Sequence, residues 1–339
     1  MGVRRPHLLD TRDSRLVRQA FVEMMPLDRG LEPRLRGVVA DVLGHPGSLA
    51  RAQLAFGLGV RQGLDPDRAL KLAVAVEYFH SASLIFDDMP SMDDARERRG
   101  RPCPHVVHGE AAATLGALAL ITRAYALLWE AIGEGPAACR KAAASLVSEC
   151  LGLAGILDGQ ARDVHFRREG ADPETVAEVA LAKTVPLVRL AMVLPAVVAG
   201  EDEGRLRRLE RLSASWGLAY QILDDFKDSL MGVEETGKTA GRDAGLGRPN
   251  LPDLAGPQRA LGRLHRLLAE SRAIVDALGR RAAERWAPLA SLQDFLETEA
   301  CDVARRLALT PSPSPGRTPG PPGEGGLTPA SSCPSVAPL

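Results

Sequence analysis

The chain has 339 residues, 45% of them hydrophobic and 4% aromatic, with a formal net charge of -1. That length admits one large domain or two ordinary ones, and an aliphatic bias rich in Ala and Leu points to a helical core. A charge so close to zero excludes recognition of nucleic acid or an anionic membrane by the protein's overall field, so any anion must be recognised locally.

In chain order, residues 1–14 (MGVRRPHLLDTRDS) read as a flexible N-terminus with no apolar stretch of a secretory leader. From Arg15 to Leu309 the pattern is helical, with Ala/Leu-rich segments of 3.6-residue period punctuated by Gly and Pro. The spacing predicts helices over 69–86, 110–132, 138–157, 171–194, 208–230 and 258–278, and no run of alternating strands. Several are apolar on most sides, as in the middle of a large bundle enclosing an apolar interior. No window of about 18 uncharged apolar residues reads as a membrane span; LAMVLPAVVAG comes nearest but is short and holds Pro195. Residues 310–339 hold nine of the 25 prolines and read as a disordered tail. Cys103, Cys139, Cys150, Cys301 and Cys333 show no CxxC or zinc-like spacing, as expected of free thiols in a reducing cytoplasm.

Two acidic clusters stand out. DDMPSMDDARERRGRP (87–102) packs four aspartates ahead of four arginines directly behind the apolar run VEYFHSASLIF. DDFKD (224–228) follows SASWGLAYQIL, and on a helix Asp224 and Asp228 lie one turn apart on the same face, beside Asp225. Such carboxylates, left uncompensated, repel by a few kcal/mol at about 4 Å and an effective dielectric near 20. An all-oxygen donor set without His or Cys selects a hard cation, Mg²⁺ or Mn²⁺, which keeps several waters and bridges carboxylates to substrate phosphates. Asp87, Asp88, Asp93 and Asp94 on one wall and the second cluster on a facing helix would thus hold a diphosphate, with Arg98 and Arg99 as planar donors to phosphate oxygens.

DDMPSMDD with RRGRP, and later GLAYQILDDFKD with GKTAGRDAG, resemble the two aspartate-rich motifs of trans-isoprenyl diphosphate synthases (polyprenyl synthetases). The first motif and the following GEAAATLGALALITRAYALL are most similar to bacterial geranylgeranyl diphosphate synthases of the carotenoid-pathway type. The resemblance covers roughly residues 40–305. It implies an all-α bundle of the isoprenoid synthase type around a central apolar cavity, a homodimer, and condensation of isopentenyl diphosphate with allylic diphosphates (dimethylallyl, geranyl, farnesyl). It further implies Mg²⁺ on Asp87, Asp93 and Asp224, with Asp88, Asp225 and Asp228 supporting. Arg98 matches a contact to the allylic diphosphate and Arg99 one to isopentenyl diphosphate. Lys183, Thr184, Gln221 and Lys238 match binding positions, Gln160 a recurrent one of less definite role, and Arg242 replaces a lysine common in the family.

The family's upstream GGKRLRP falls, without gaps, on PGSLARA (46–52), so Arg51 is kept but Ser48 stands where a lysine belongs. A register using EPRLRG (32–37) needs a gap of about fifteen residues. His80, two turns before Asp87, matches a histidine beside the homoallylic diphosphate. His105 and His108 have metal-like spacing in what the resemblance makes a loop. Ala82 and Ser83 are small where C15 synthases often carry an aromatic, which points to a C20 product, geranylgeranyl diphosphate. Ser48 motivates one rival, a class I terpene-cyclase-like enzyme on the same scaffold; a second is a regulatory subunit pairing with an active synthase, against which both complete acid clusters argue.

Overall fold

The computed structural model describes residues 6, 8–166, 172–230, 250–280 and 282–309. The expected Lys238, Arg242 and Cys333, and the tail 310–339, lie outside them. The described residues form thirteen α-helices and one two-residue β-ribbon.

Helices α1 (Thr11–Glu23), α2 (Pro33–Gly44), α3 (Ala50–Arg61) and α4 (Pro66–Asp87) lead into β1 (Glu97–Arg98) and β2 (Arg101–Pro102). Then come α5 (Pro104–His108), α6 (Glu110–Gly133), α7 (Ala137–Leu151), a π-turn (Leu153–Leu157) and α8 (Asp158–His165). The chain continues with α9 (Pro173–Val198), α10 (Glu203–Leu230), α11 (Leu251–Ala255), α12 (Pro257–Gly279) and α13 (Ala287–Leu309). Their starts follow from local chemistry. Asp10, Asp65, Asp172 and Asn250 cap α1, α4, α9 and α11 through side-chain bonds to first-turn amides. Pro66 and Pro173 sit in first turns, where a missing N–H costs nothing.

α4 packs chiefly on α6 and α3, and α9 on α10, α3, α7 and α8, so both run through the middle of the bundle. One buried cluster joins them, with Leu72, Tyr78, Leu120, Leu128, Leu190 and Met192 fully enclosed. Tyr78, whose ring lies 5.1 Å from that of Phe21, donates its hydroxyl to the Phe21 carbonyl at 2.7 Å and locks α1 onto α4.

The structure adjusts several expectations. α1 begins at Thr11, and Leu8 and Leu9 are already buried, so order starts earlier than Arg15. The single helix expected over 138–157 breaks after Leu151, and Gly155 has non-helical dihedrals inside the π-turn. The ribbon at 97–102 was not expected; Arg99 and Gly100 both take positive φ (55° and 71°), the turn geometry that matches strand twist. Four helices, Pro66–Asp87, Glu110–Gly133, Ala137–His165 and Pro173–Val198, are long and apolar enough to cross a membrane by length and composition. Counting only uncharged residues overlooked them. The apolar windows of the first and last are 67% and 61% buried against the rest of the fold, as central helices of a bundle require. The four described cysteines are free thiols.

Candidate active site

α4 ends at Asp87, with Asp88 as its C-cap. The chain then folds back on itself: the amides of Asp93 and Ala95 donate to the carbonyls of Asp87 and Asp88, each at 3.0 Å. Asp94 takes a positive φ of 48°, a conformation aspartate tolerates better than most residues. Asp93 is thereby brought beside Asp87. Burial pushes the Asp87 carboxyl above its ordinary range; Lys183 pulls it back, and Asp93 and Asp163 push it up further. Buried Asp88 plays a different part. Arg98 Nε and Nη2 each donate to its carboxylate at 2.7 Å, a bidentate clamp that fixes the ribbon against α4. The guanidinium expected on a diphosphate is thus committed on one edge to Asp88.

Residues 46–52 lie against the same ribbon. Gly47 has φ 69°, and the Arg99 guanidinium occupies the place its Cβ would take, so only glycine permits this approach. Arg51 Nη1 lies 3.2 Å from His80 Nε2. Burial, then Arg51, Arg99 and Arg98, hold His80 well below its ordinary pKa. The neutral ring therefore accepts from Arg51 through Nε2. Beneath them the Ala52 amide donates at 3.1 Å to buried Glu77, whose carboxyl is raised by burial and pulled back by Arg51 and Arg99. The gapless register thus brings Arg51, His80 and Arg99 together. The alternative RLR starts α2, which packs on α5 and α6.

α9 links the two acid clusters through adjacent side chains. Lys183 Nζ lies 2.7 Å from Asp163 Oδ2 and 3.8 Å from Asp87 Oδ1. Thr184 Oγ1 donates to Gln221 Oε1 at 3.4 Å, and Gln221 Nε2 donates to Asp225 Oδ1 at 2.8 Å. Asp225 is buried and also accepts from the Leu251 amide at 3.2 Å, so it anchors α11, while Asp224 and Asp228 lie one turn apart on α10. Gln160 Nε2 donates to Asp87 Oδ1 at 2.6 Å, which gives that residue a definite place.

Sequence reasoning missed Asp163 and Glu77. Asp163 was detectable: it stands three residues after Gln160 on α8, on the same face. Glu77 reads as a stray charge in an apolar helix until the loop above it is placed. His108 is paired with Asp41 at 2.7 Å. Among the described residues, no three His, Cys, Asp or Glu side chains converge tightly enough to hold a metal ion as they stand. The donor chemistry still suits a hard divalent cation: acids Asp93 and Asp163 reinforce one another's effect on half-buried Asp87, a negative field that a cation would relieve.

A geranylgeranyl diphosphate synthase of Pantoea ananas is 38% identical over 205 residues, 60% of this chain and 65% of that protein. A chloroplastic geranylfarnesyl diphosphate synthase of Leucosceptrum canum is 35% identical over 246 residues, 69% of this chain and 64% of that protein. The chain thus spans just under two thirds of the length of these relatives. Among solved structures, a geranyltransferase of Helicobacter pylori complexed with magnesium and isoprenyl diphosphate superposes with a TM-score of 0.73 at 26% identity. That likeness covers 86% of this chain and 99% of the other, and it places the helical bundle among isoprenoid synthase folds. The family model for polyprenyl synthetase matches residues 32–276, and the chain belongs to that family.

Proposed function

We propose that this chain is an Mg²⁺-dependent prenyltransferase that condenses isopentenyl diphosphate with an allylic diphosphate and releases a C20 diphosphate. The observation that carries the reading is the pairing on α9, where Lys183 reaches the acids of α4 and Thr184 reaches Gln221 ahead of the acids of α10. Asp87, Asp93 and Asp224 would hold Mg²⁺, with Asp88, Asp225 and Asp228 fixing the walls around them. When bound, the ion supplies charge neutralisation for the departing diphosphate.

This chain's own residues supply the rest. Lys183, with the free edge of Arg98, faces negative charge growing on the allylic diphosphate as its carbon–oxygen bond breaks, and such preset cations act without reorganisation. Gln160 and Asp163 orient Asp87 and Lys183. Arg51 and Arg99 hold the second diphosphate, with neutral His80 positioning Arg51. The double bond of isopentenyl diphosphate then attacks the allylic carbon, and a proton passes to the released diphosphate. Lys238 is proposed as a further diphosphate contact from its motif alone.

The C20 assignment rests on Ala82, fully buried on α4 five residues before Asp87, where a small side chain stands in place of an aromatic one. Ala82→Phe is expected to shift product from C20 toward C15, read by chromatography of dephosphorylated products; an unchanged profile removes Ala82 from the length argument. A homodimer is the assembly we propose, supported by exposed Leu115, Leu118 and Trp129 along one side of α6; a single-chain mass on sedimentation would rule it out. Free thiols at all described cysteines support a cytoplasmic setting.

Purified protein supplied with Mg²⁺, farnesyl diphosphate and labelled isopentenyl diphosphate tests the reading. A labelled C20 diphosphate whose formation stops with EDTA is the expected result. A hydrocarbon made without isopentenyl diphosphate would replace it with a cyclase, and absence of turnover with a regulatory subunit.

A further inference from the structure

The loop at 47–49 is held to helix α1 by side chains. Arg18 Nη2 donates to the Gly47 carbonyl at 3.4 Å. Gln53 Nε2 donates to the neighbouring Ser48 carbonyl at 2.8 Å, and Ser14 Oγ reaches Gln53 Oε1 at 3.5 Å. Gly47 is therefore approached by two guanidiniums, Arg99 where a side chain would stand and Arg18 at its carbonyl. The groove outside the loop has a volume of about 240 Å³; Ser14, Arg15, Arg18, Leu49 and Gln53 help line it. Arg15 and Arg18 are exposed, lie three residues apart on one face of α1, and have no carboxylate partner among the described residues.

Ser48, whose carbonyl accepts one of these bonds, has a short neutral side chain at the position where the family resemblance expects a lysine. An arginine reaches further than a serine by several bonds and presents a permanently charged fork suited to phosphate oxygens. Arg18 uses only one long hydrogen bond to the loop, so its remaining donors are available to an anion.

We propose that Arg18 of α1, with Arg15 adding to the local positive field, provides the cationic contact to the homoallylic diphosphate that Ser48 cannot make. The cation then stands on the helix packed against the loop rather than in the loop itself. This rests on the prenyltransferase reading above.

The test measures initial rates against isopentenyl diphosphate at saturating farnesyl diphosphate. Arg18→Ala is expected to raise the KM for isopentenyl diphosphate about fivefold to twentyfold, the range for losing a charge-assisted contact at a solvent-facing site. The KM for farnesyl diphosphate should stay within about twofold, and Arg12→Ala, on the same helix but outside the groove, should match wild type. Arg18→Ala combined with Ser48→Lys should recover the wild-type KM, which a purely structural role for Arg18 would not allow. Arg18→Gln, which keeps a donor for the Gly47 carbonyl, separates charge from loop anchoring: it should behave like Arg18→Ala. A wild type that elongates farnesyl diphosphate with Arg18→Ala and Arg18→Gln unchanged in KM overturns the assignment of Arg18 alone. A wild type that never consumes isopentenyl diphosphate overturns the prenyltransferase reading, and this one with it.

Discussion

Asp87→Ala is expected to lower turnover by roughly 10²–10³, the scale seen when one preset electrostatic contact to a reacting charge is removed, while the protein stays folded. Three observations set the direction. Asp87 lies at the end of α4 where Gln160, Lys183 and the folded-back Asp93 loop meet, so its loss removes the carboxylate on which the wall is organised. Lys183 would keep its 2.7 Å pair with Asp163, so no buried cation is stranded. The third is the sign of the pH linkage. The Asp87 carboxyl is raised in the fold, first by burial, so the folded state holds its proton more tightly than the unfolded chain. Stability from this group is therefore present at low pH and is lost as pH rises through the raised value. Above that raised value the carboxylate is a burden on the metal-free fold, and alanine relieves it. The melting temperature without metal should be equal or higher in the variant. If the wild type binds Mg²⁺ and pyrophosphate as proposed, linked binding should raise its melting temperature, and in the variant that rise should largely disappear. Near-normal turnover, or an undiminished Mg²⁺-dependent rise, would remove Asp87 from the metal-binding wall.

Much of this arrangement is legible in the sequence because its chemistry is local. An acid pair behind an apolar run fixes the end of α4, and the seven-residue spacing puts His80 on the face of Asp87. The ribbon at 97–102 was not legible: Gly100 suits its positive φ, but arginine is not a residue that favours the left-handed position Arg99 takes, and two-residue strands carry no period to detect. What stays hidden is the pairing between elements distant in sequence. Nothing within DDMPSMDD says that Arg98 will spend its fork on Asp88 while Asp87 goes to Gln160, 73 residues on. Glu77 is similar: by period it belongs to the core, and the Ala52 amide, 25 residues earlier, together with the charges of Arg51 and Arg99, explains a carboxylate there. The missing lysine was visible at Ser48, whereas the arginine beside it could not be found before α1 was packed against the loop.

The second large effect concerns a residue that touches no substrate. Gly159→Ala is expected to destabilise the fold by about 1–3 kcal/mol, the usual range for overpacking a close contact, and to cut turnover at least tenfold. The cause begins in α9. Pro186 has no amide hydrogen, so the carbonyl of Ala182, four residues before it, has no helical partner. α8 uses that gap: its backbone comes so close at Gly159 that an added Cβ would clash with the Ala182 carbonyl and the Lys183 amide. Those atoms are backbone inside a helix held by α10 and α3, so they cannot yield as a side-chain tip would. The added methyl would have to push α8 outward. Gln160 is the next residue and Asp163 lies one turn on, so the 2.6 Å bond to Asp87 and the 2.7 Å pair with Lys183 would both lengthen. The two groups that orient the first acid wall would be displaced together by a substitution that removes no functional atom. Thermal unfolding and steady-state kinetics of the purified variant check this, with Ala161→Gly as a control for altered helix propensity on the exposed side of α8. A Gly159→Ala protein with wild-type melting temperature and turnover would mean that α8 slides without cost, and that Gln160 and Asp163 are not fixed by the contact at Gly159.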